Sequence, residues 1–159
     1  MDRRAMIGAL GLGATGVLAL GRTADADEPQ TLTYHSMLDK THVKCLDHCT
    51  ACAAVCNEAA AHCLAETCKA SAHRDMHASA HQFAMDCAAM CSVSAGLVAR
   101  KSPLMAAMCT ACAEACRRCG EVCEKAQGDA AIMKDCVRIC RECESSCREM
   151  SRMMGAKTG

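Results

Sequence analysis

Along the chain, one small and weakly apolar residue marks a repeating seam. It falls at 45, 49, 52, 56 and 63, then at 87 and 91, at 109, 112, 116, 119 and 123, and at 136, 140, 143 and 147. Steps of four and three alternate, and mostly polar or small residues fill the positions between. A strand would need steps of two. Steps averaging about 3.5 are the buried seam of a helix packed in a bundle. The residue is cysteine.

The second segment keeps the phase with fewer thiols. Stepping back from Cys91 and Cys87 by threes and fours reaches Ala84, Ala80, His77 and His73, so this helix is expected to present thiols near its end and imidazoles near its start. The breaks between segments are short. Ser102-Pro103 suits an N-cap followed by proline in the first turn. Gly128-Asp129 suits a C-terminal glycine followed by an N-cap. The stretch 69–72 is the least marked break, with Ser71 as its cap. Short links between helices of about 25 residues imply antiparallel neighbours. The predicted fold is all-α, an antiparallel up-down-up-down four-helix bundle with a cysteine-lined core, roughly 35 Å long at 1.5 Å per residue.

The seam is also an internal repeat. The pattern C-x3-C-x2-C-x3-C runs from Cys45 to Cys56, from Cys112 to Cys123 and from Cys136 to Cys147. Three copies at this length are a specific signal, where a lone C-x2-C would be weak.

Composition sharpens the question of what fills the core. There are 17 cysteines and 12 methionines, but one Tyr and one Phe, Tyr34 and Phe83. Leu, Ile, Val and Phe, the usual core residues, are all scarce. Residues 1–26 read as an export signal. Arg3 and Arg4 precede a glycine-diluted apolar stretch, 5–20, and Ala24-Asp25-Ala26 is a small-x-small cleavage pattern. The paired arginines resemble a twin-arginine signal, although Ala5 and Met6 stand where a typical one has a polar residue and then Phe. The expected division is therefore a leader, 1–26, and a bundle domain, 27–159, exported to the periplasm. Without Arg3, Arg4 and Arg22, and without Asp2 and Asp25, 15 basic residues face 16 acidic ones. That balance leaves no basic footprint for nucleic acid. No further stretch is expected to span a membrane.

Three readings of the cysteines compete. A disulfide scaffold needs particular Cα separations and side-chain directions, which neighbours three or four apart on one helix meet poorly, and 17 is odd. Cysteine as a plain small hydrophobe does not explain why it fills nearly every seam position of three helices, where Leu would pack better. Metal binding does explain it, since these spacings put two sulfurs on one helix face. Zinc and iron–sulfur clusters want discrete sets of four cysteines, and a continuous seam has no obvious division into fours. Charge weighs further. Buried thiolates must be neutralised; four around one zinc leave two negative charges, whereas one Cu(I) per thiolate leaves none. Soft thiolates and thioethers select Cu(I). The ligands expected on this reading are Cys45, Cys49, Cys52, Cys56, Cys63, Cys87, Cys91, Cys109, Cys112, Cys116, Cys119, Cys123, Cys136, Cys140, Cys143 and Cys147, holding multiple Cu(I) ions. An iron–sulfur electron-transfer protein and a zinc domain are the alternatives. No paired acid and base, nucleotide loop or nucleophile motif points to an enzyme.

Beyond the cysteines, the in-phase positions are His42 on the first helix, Met105 with Met108 beside it on the third, and Met133, Met150 and Met154 on the fourth. In an antiparallel bundle His42, Met105, Met108, Met150 and Met154 gather at one mouth. His73, His77 and Met133 gather at the other, with Met76 nearby. These would be weaker, exchangeable ligands passing copper in or out. Cys68, five beyond Cys63, is expected outside the core as a peripheral ligand. His48, His62 and His81 fall out of phase and are expected in solvent.

The repeated C-x3-C-x2-C-x3-C segments on a helical bundle resemble the bacterial copper storage protein family, over the whole of 27–159. The resemblance implies inward cysteines binding many Cu(I) ions and a tetramer of bundles. It also implies copper ions as the cargo, with a copper chaperone or a recipient cuproenzyme as partner. His73 and His77 would replace thiols where the second helix is cysteine-poor.

Overall fold

The structure, a computed structural model, describes residues 38–126 and 130–155. Four helices account for them: α1 Lys40–Thr67, α2 Arg74–Ala99, α3 Met105–Ala126 and α4 Ala131–Gly155. Each packs along the two neighbours of a square, in the order α1, α2, α3, α4 and back to α1. Direction follows from cross-helix contacts. On α1 and α4, Cys49 meets Cys147 and Cys56 meets Cys136, so one number rises as the other falls. On α2 and α3, Cys87 meets Cys116 and Cys91 meets Cys112. Every adjacent pair that these contacts cover is antiparallel, as the short links require.

Local chemistry sets the helix ends. Asp39 caps α1, its carboxylate accepting from the Thr41 and His42 backbone N–H groups at 3.0 Å each. Ser71 organises the α1–α2 turn, its hydroxyl accepting from His73 N–H at 3.3 Å, and α2 itself begins at Arg74. After α2 the chain closes in a Schellman turn. Ser102 N–H reaches back to Leu97 O at 2.9 Å and Lys101 N–H to Val98 O at 3.0 Å. Lys101 takes the left-handed position, φ 49°, usually given to glycine. Ser102 then caps the turn into α3, accepting from Leu104 N–H at 3.3 Å. The predicted break at Gly128-Asp129 lies outside the described residues.

Cysteine, alanine and methionine fill the core, with Leu97, Val98 and Val137 the only buried large aliphatics among the described residues. Sixteen of the cysteines are fully buried. Cysteine and alanine remove less apolar area from water than leucine would, at roughly 25 cal/mol per Å², so the metal-free core is a modest source of stability. The outside is laced with i,i+3 and i,i+4 pairs, such as Arg117 with Glu114 and Glu121, each worth about 0–1 kcal/mol. Lys44–Glu149 and Arg141–Glu124 are ion pairs that cross between helices.

One expectation fails here. By length and composition α2 is apolar enough to cross a membrane, although no such stretch was expected after residue 26. Its hydropathy comes from Ala, Met, Val and Cys, and the bundle spends the Ala80, Ala84, Cys87 and Cys91 face on the core.

Candidate metal centre

The seam positions of the four helices converge on one axis, and their sulfurs form a continuous string. Cys45 lies 4.0 Å from Cys109 and 3.9 Å from Cys147. Cys49 lies 3.5 Å from Cys147 and 3.8 Å from Cys143. Cys91 contacts Cys112, Cys116 and Cys143 at 3.6–3.9 Å. Cys52 reaches Cys56, Cys87, Cys116 and Cys140 at 3.8–4.0 Å. The string ends where Cys123 meets Cys119 and Cys136, both at 3.8 Å. These are thiols in contact, well beyond the roughly 2.05 Å of a disulfide, and all 17 cysteines are free.

Five groups have sulfurs mutually within 4.8 Å: Cys45, Cys109 and Cys147; Cys49, Cys112, Cys143 and Cys147; Cys52, Cys91, Cys116 and Cys143; Cys52, Cys56, Cys87 and Cys140; and Cys56, Cys119, Cys136 and Cys140. Each shares at least one member with the next. Cys147 belongs to the first and second, Cys143 to the second and third, and Cys140 to the last two. Isolated four-thiolate centres could not fill all of them at once. An ion that accepts two or three sulfurs, and shares them with the next ion, can occupy the whole length.

Protonation follows from the same crowding. Cys143 is held far above the ordinary thiol range because it hydrogen-bonds Cys112 and Cys116, and burial adds to this. Cys140 is raised in the same way, by Cys119 and Cys136. Burial, with the nearby Cys136 and Cys119 sulfurs, pushes the Cys63 thiol up to about 11. Without metal these thiols keep their protons, and a soft cation must displace them.

The two mouths differ. At the first, His42, Met105 and Met150 are buried, and Met108 and Met154 half-buried. His42 Nδ1 lies 2.8 Å from an Asp39 carboxylate oxygen. The carboxylate only accepts, so Nδ1 is the donor and Nε2 of the neutral ring keeps the lone pair a metal needs. At the second mouth Met133 is fully buried, its sulfur 3.6 Å from Cys63. His77 and His73 line a shallow surface cavity of about 160 Å³ with Met76, Lys125 and Ala126. His73 is exposed and His77 only partly buried. The fully buried Ala80 and Ala84 occupy the core positions of this half of α2. The imidazoles therefore stand at the mouth and do not replace thiols inside the string. Cys68, which caps α1, is exposed, outside the string as expected.

The out-of-phase histidines are not simply solvated. His48 Nδ1 donates to Glu142 O at 3.2 Å and His81 Nδ1 to Ala60 O at 2.9 Å, each tying one helix to its neighbour. His62 stacks edge-on against His77, ring centroids 5.9 Å apart. Phase alone missed this, because an imidazole at the flank of a seam is long enough to reach the next helix.

Comparison with known proteins agrees with the geometry. The family model described as copper storage protein matches residues 38–152. No curated protein matches. Among solved structures, the Nmul_A1745 protein of Nitrosospira multiformis is 32% identical with TM-score 0.62, covering 73% of this chain and 99% of that one. The Cu(I)-bound copper storage protein BsCsp3 is 26% identical with TM-score 0.62, covering 70% and 99%. A cytosolic copper storage protein from Streptomyces lividans, solved during loading with five coppers, is 27% identical with TM-score 0.62, covering 70% and 92%. That last similarity corrects the export expectation. A bundle alike in sequence and fold works in the cytosol, and the segment on which export rested, 1–26, lies outside the described residues. The periplasmic, twin-arginine placement is not retained.

Proposed function

The chain belongs to the copper storage protein family, and from that premise we propose that its sixteen seam cysteines are the ligands of a string of Cu(I) ions, filled toward one ion per core thiol. The overlap of the sulfur groups carries this reading, because shared corners suit ions of low coordination number and defeat separate tetrahedral centres. Charge supports it as well. One Cu(I) per thiolate leaves the filled core neutral. The function is storage, with copper ions as cargo and no turnover.

Around that core the finer reading has three parts. His42, Met105, Met108, Met150 and Met154 at one mouth, and His73, His77 and Met133 at the other, serve as exchangeable ligands for copper in transit, with Cys68 peripheral. The bundles associate as tetramers, and a copper chaperone or recipient cuproenzyme exchanges copper with them. Residues 1–26 are a leader separable from the bundle domain, 27–159, which the intact mass of the protein from its native source tests.

The decisive measurement is titration of the fully reduced protein with Cu(I) against a competing chelator, with solution mass read alongside. Saturation near one ion per core cysteine is expected, in a colourless protein. Saturation at two to four ions, or visible absorption from clusters, would overturn the reading.

A further inference from the structure

The Cys45–Cys109–Cys147 layer has three sulfurs, and the residue at its fourth corner can be placed by register. Cys91 of α2 faces Cys112 of α3 at 3.6 Å; three residues forward on α2 and three back on α3 bring Ser94 opposite Cys109. Cys87 of α2 faces Cys52 of α1 at 4.0 Å; seven forward and seven back bring Ser94 opposite Cys45. Ser94 thus stands on the seam at the level of Cys45, Cys109 and Cys147, the one group with three sulfurs where the others have four. Its side chain is fully buried, and its hydroxyl has no hydrogen-bond partner. A buried unpaired hydroxyl destabilises the fold. A helical serine could relieve that by bonding back to the preceding turn, as Ser92 does to Ala88 O at 2.9 Å. Ser94 does not.

This layer is also the outermost. One step beyond it along the seams stand His42, Met105 and Met150, the buried residues of the first mouth. We propose that Ser94 makes the Cys45–Cys109–Cys147 layer the exchange site of the store, where the ion enters and leaves. The inference rests on the Cu(I)-string reading above. A hydroxyl is a hard, poor ligand for Cu(I), so the ion here has three sulfurs to choose from and shares only Cys147 with the layer below. The hydroxyl is nonetheless useful. With copper bound the sulfurs are thiolates, stronger acceptors for the orphaned O–H than thiols are. Loading therefore satisfies a group left unpaired in the empty bundle, and holds the outermost ion without trapping it.

The experiment uses the full reduced chain, with Ser94→Cys and Ser94→Ala beside the wild type. Total thiol is counted after denaturation, helicity is checked by circular dichroism, and Cu(I) is titrated against bicinchoninate. Release from the filled protein is then timed in excess bicinchoninate. Ser94→Cys is expected to raise tightly held copper by one ion and slow the fastest-released ion at least tenfold. Ser94→Ala is expected to keep the capacity and release that ion several-fold faster. Wild-type capacity and release in a folded Ser94→Cys chain would overturn the proposal. If that variant does not fold, wild-type release from Ser94→Ala overturns it alone. Should the wild type itself saturate at two to four ions, the storage reading is what fails; should it fill while both variants release as it does, only the assignment of Ser94 fails.

Discussion

The Cys63 thiol donates to the Met133 thioether across 3.6 Å, and this contact lies beyond the string of thiols that runs from Cys45 to Cys123. Ala59 and Ala60 of α1 and Ala80 of α2 are buried as well, and the Cys136 and Cys119 sulfurs act on Cys63 through charge and not through a hydrogen bond. Met133→Leu conserves volume and should cost less than about 1.5 kcal/mol in the metal-free protein. It should also loosen or remove no more than one Cu(I), read by chelator competition. Loss of several ions would mean the string is organised from this end.

The same thiol has a pH signature. Cys63 is raised from an ordinary 9.0 to about 11, chiefly by burial. A group raised in the folded state contributes stability that is whole below its unfolded pKa and fades as pH rises toward the folded value. The metal-free bundle should therefore weaken from about pH 9 to pH 11, and Cys63→Ala should remove part of that slope. Denaturation midpoints across this range check it. The acid side behaves in the opposite sense at Asp39, whose carboxyl the His42 side-chain hydrogen bond lowers from 3.8 to about 2. Its contribution is present above pH 4 and is lost as pH falls toward 2. Asp39→Ala should cost about 1 kcal/mol as a lost N-cap and flatten the dependence in that window.

Much of this was legible in spacing. Steps of three and four placed Cys45, Cys49, Cys52 and Cys56 on one face, and the antiparallel links brought them against Cys147, Cys143, Cys140 and Cys136. Ser71 and Ser102 were readable as turn residues because a hydroxyl can take an orphan backbone N–H. Phase put His73 and His77 at the start of α2, where they stand, but did not say whether they replace thiols inside the string. It specifies a direction around the helix and says nothing of where the helix begins, and α2 starts at Arg74. Ser94 is in phase, three beyond Cys91, but a serine offers no soft donor, and only the thiols across the bundle single it out.

At the first mouth, Met105 is buried and Met108 half-buried, one turn apart near the start of α3. Replacing both with Leu preserves bulk and removes two soft donors. Cu(I) uptake measured by stopped flow should slow several-fold, while the final stoichiometry should stay within one ion of wild type. Unchanged uptake would assign these thioethers to packing alone.

Lys101 offers a test of fold without chemistry. Its φ of 49° puts an L-residue where the Schellman turn favours glycine, at a cost of roughly 1 kcal/mol. Lys101→Gly should raise the thermal midpoint of the reduced, metal-free protein by a few degrees and leave copper capacity alone.

Cys143 separates a continuous string from a set of independent sites. It belongs to two four-sulfur groups, one with Cys49, Cys112 and Cys147 and one with Cys52, Cys91 and Cys116. Cys143→Ser keeps the shape and replaces a soft donor with a hard one. If each group were a separate cluster of several ions, two clusters would fail together and capacity would fall by four or more. On a shared string the neighbouring sulfurs still bridge ions on either side, so capacity should fall by one or two while the rest fills. The buried hydroxyl should also cost the metal-free protein about 1–3 kcal/mol. Cys68→Ser, at an exposed position outside the string, is the internal control and should change neither capacity nor stability. A drop of four or more ions in Cys143→Ser, with Cys68→Ser unchanged, would replace the string with discrete clusters.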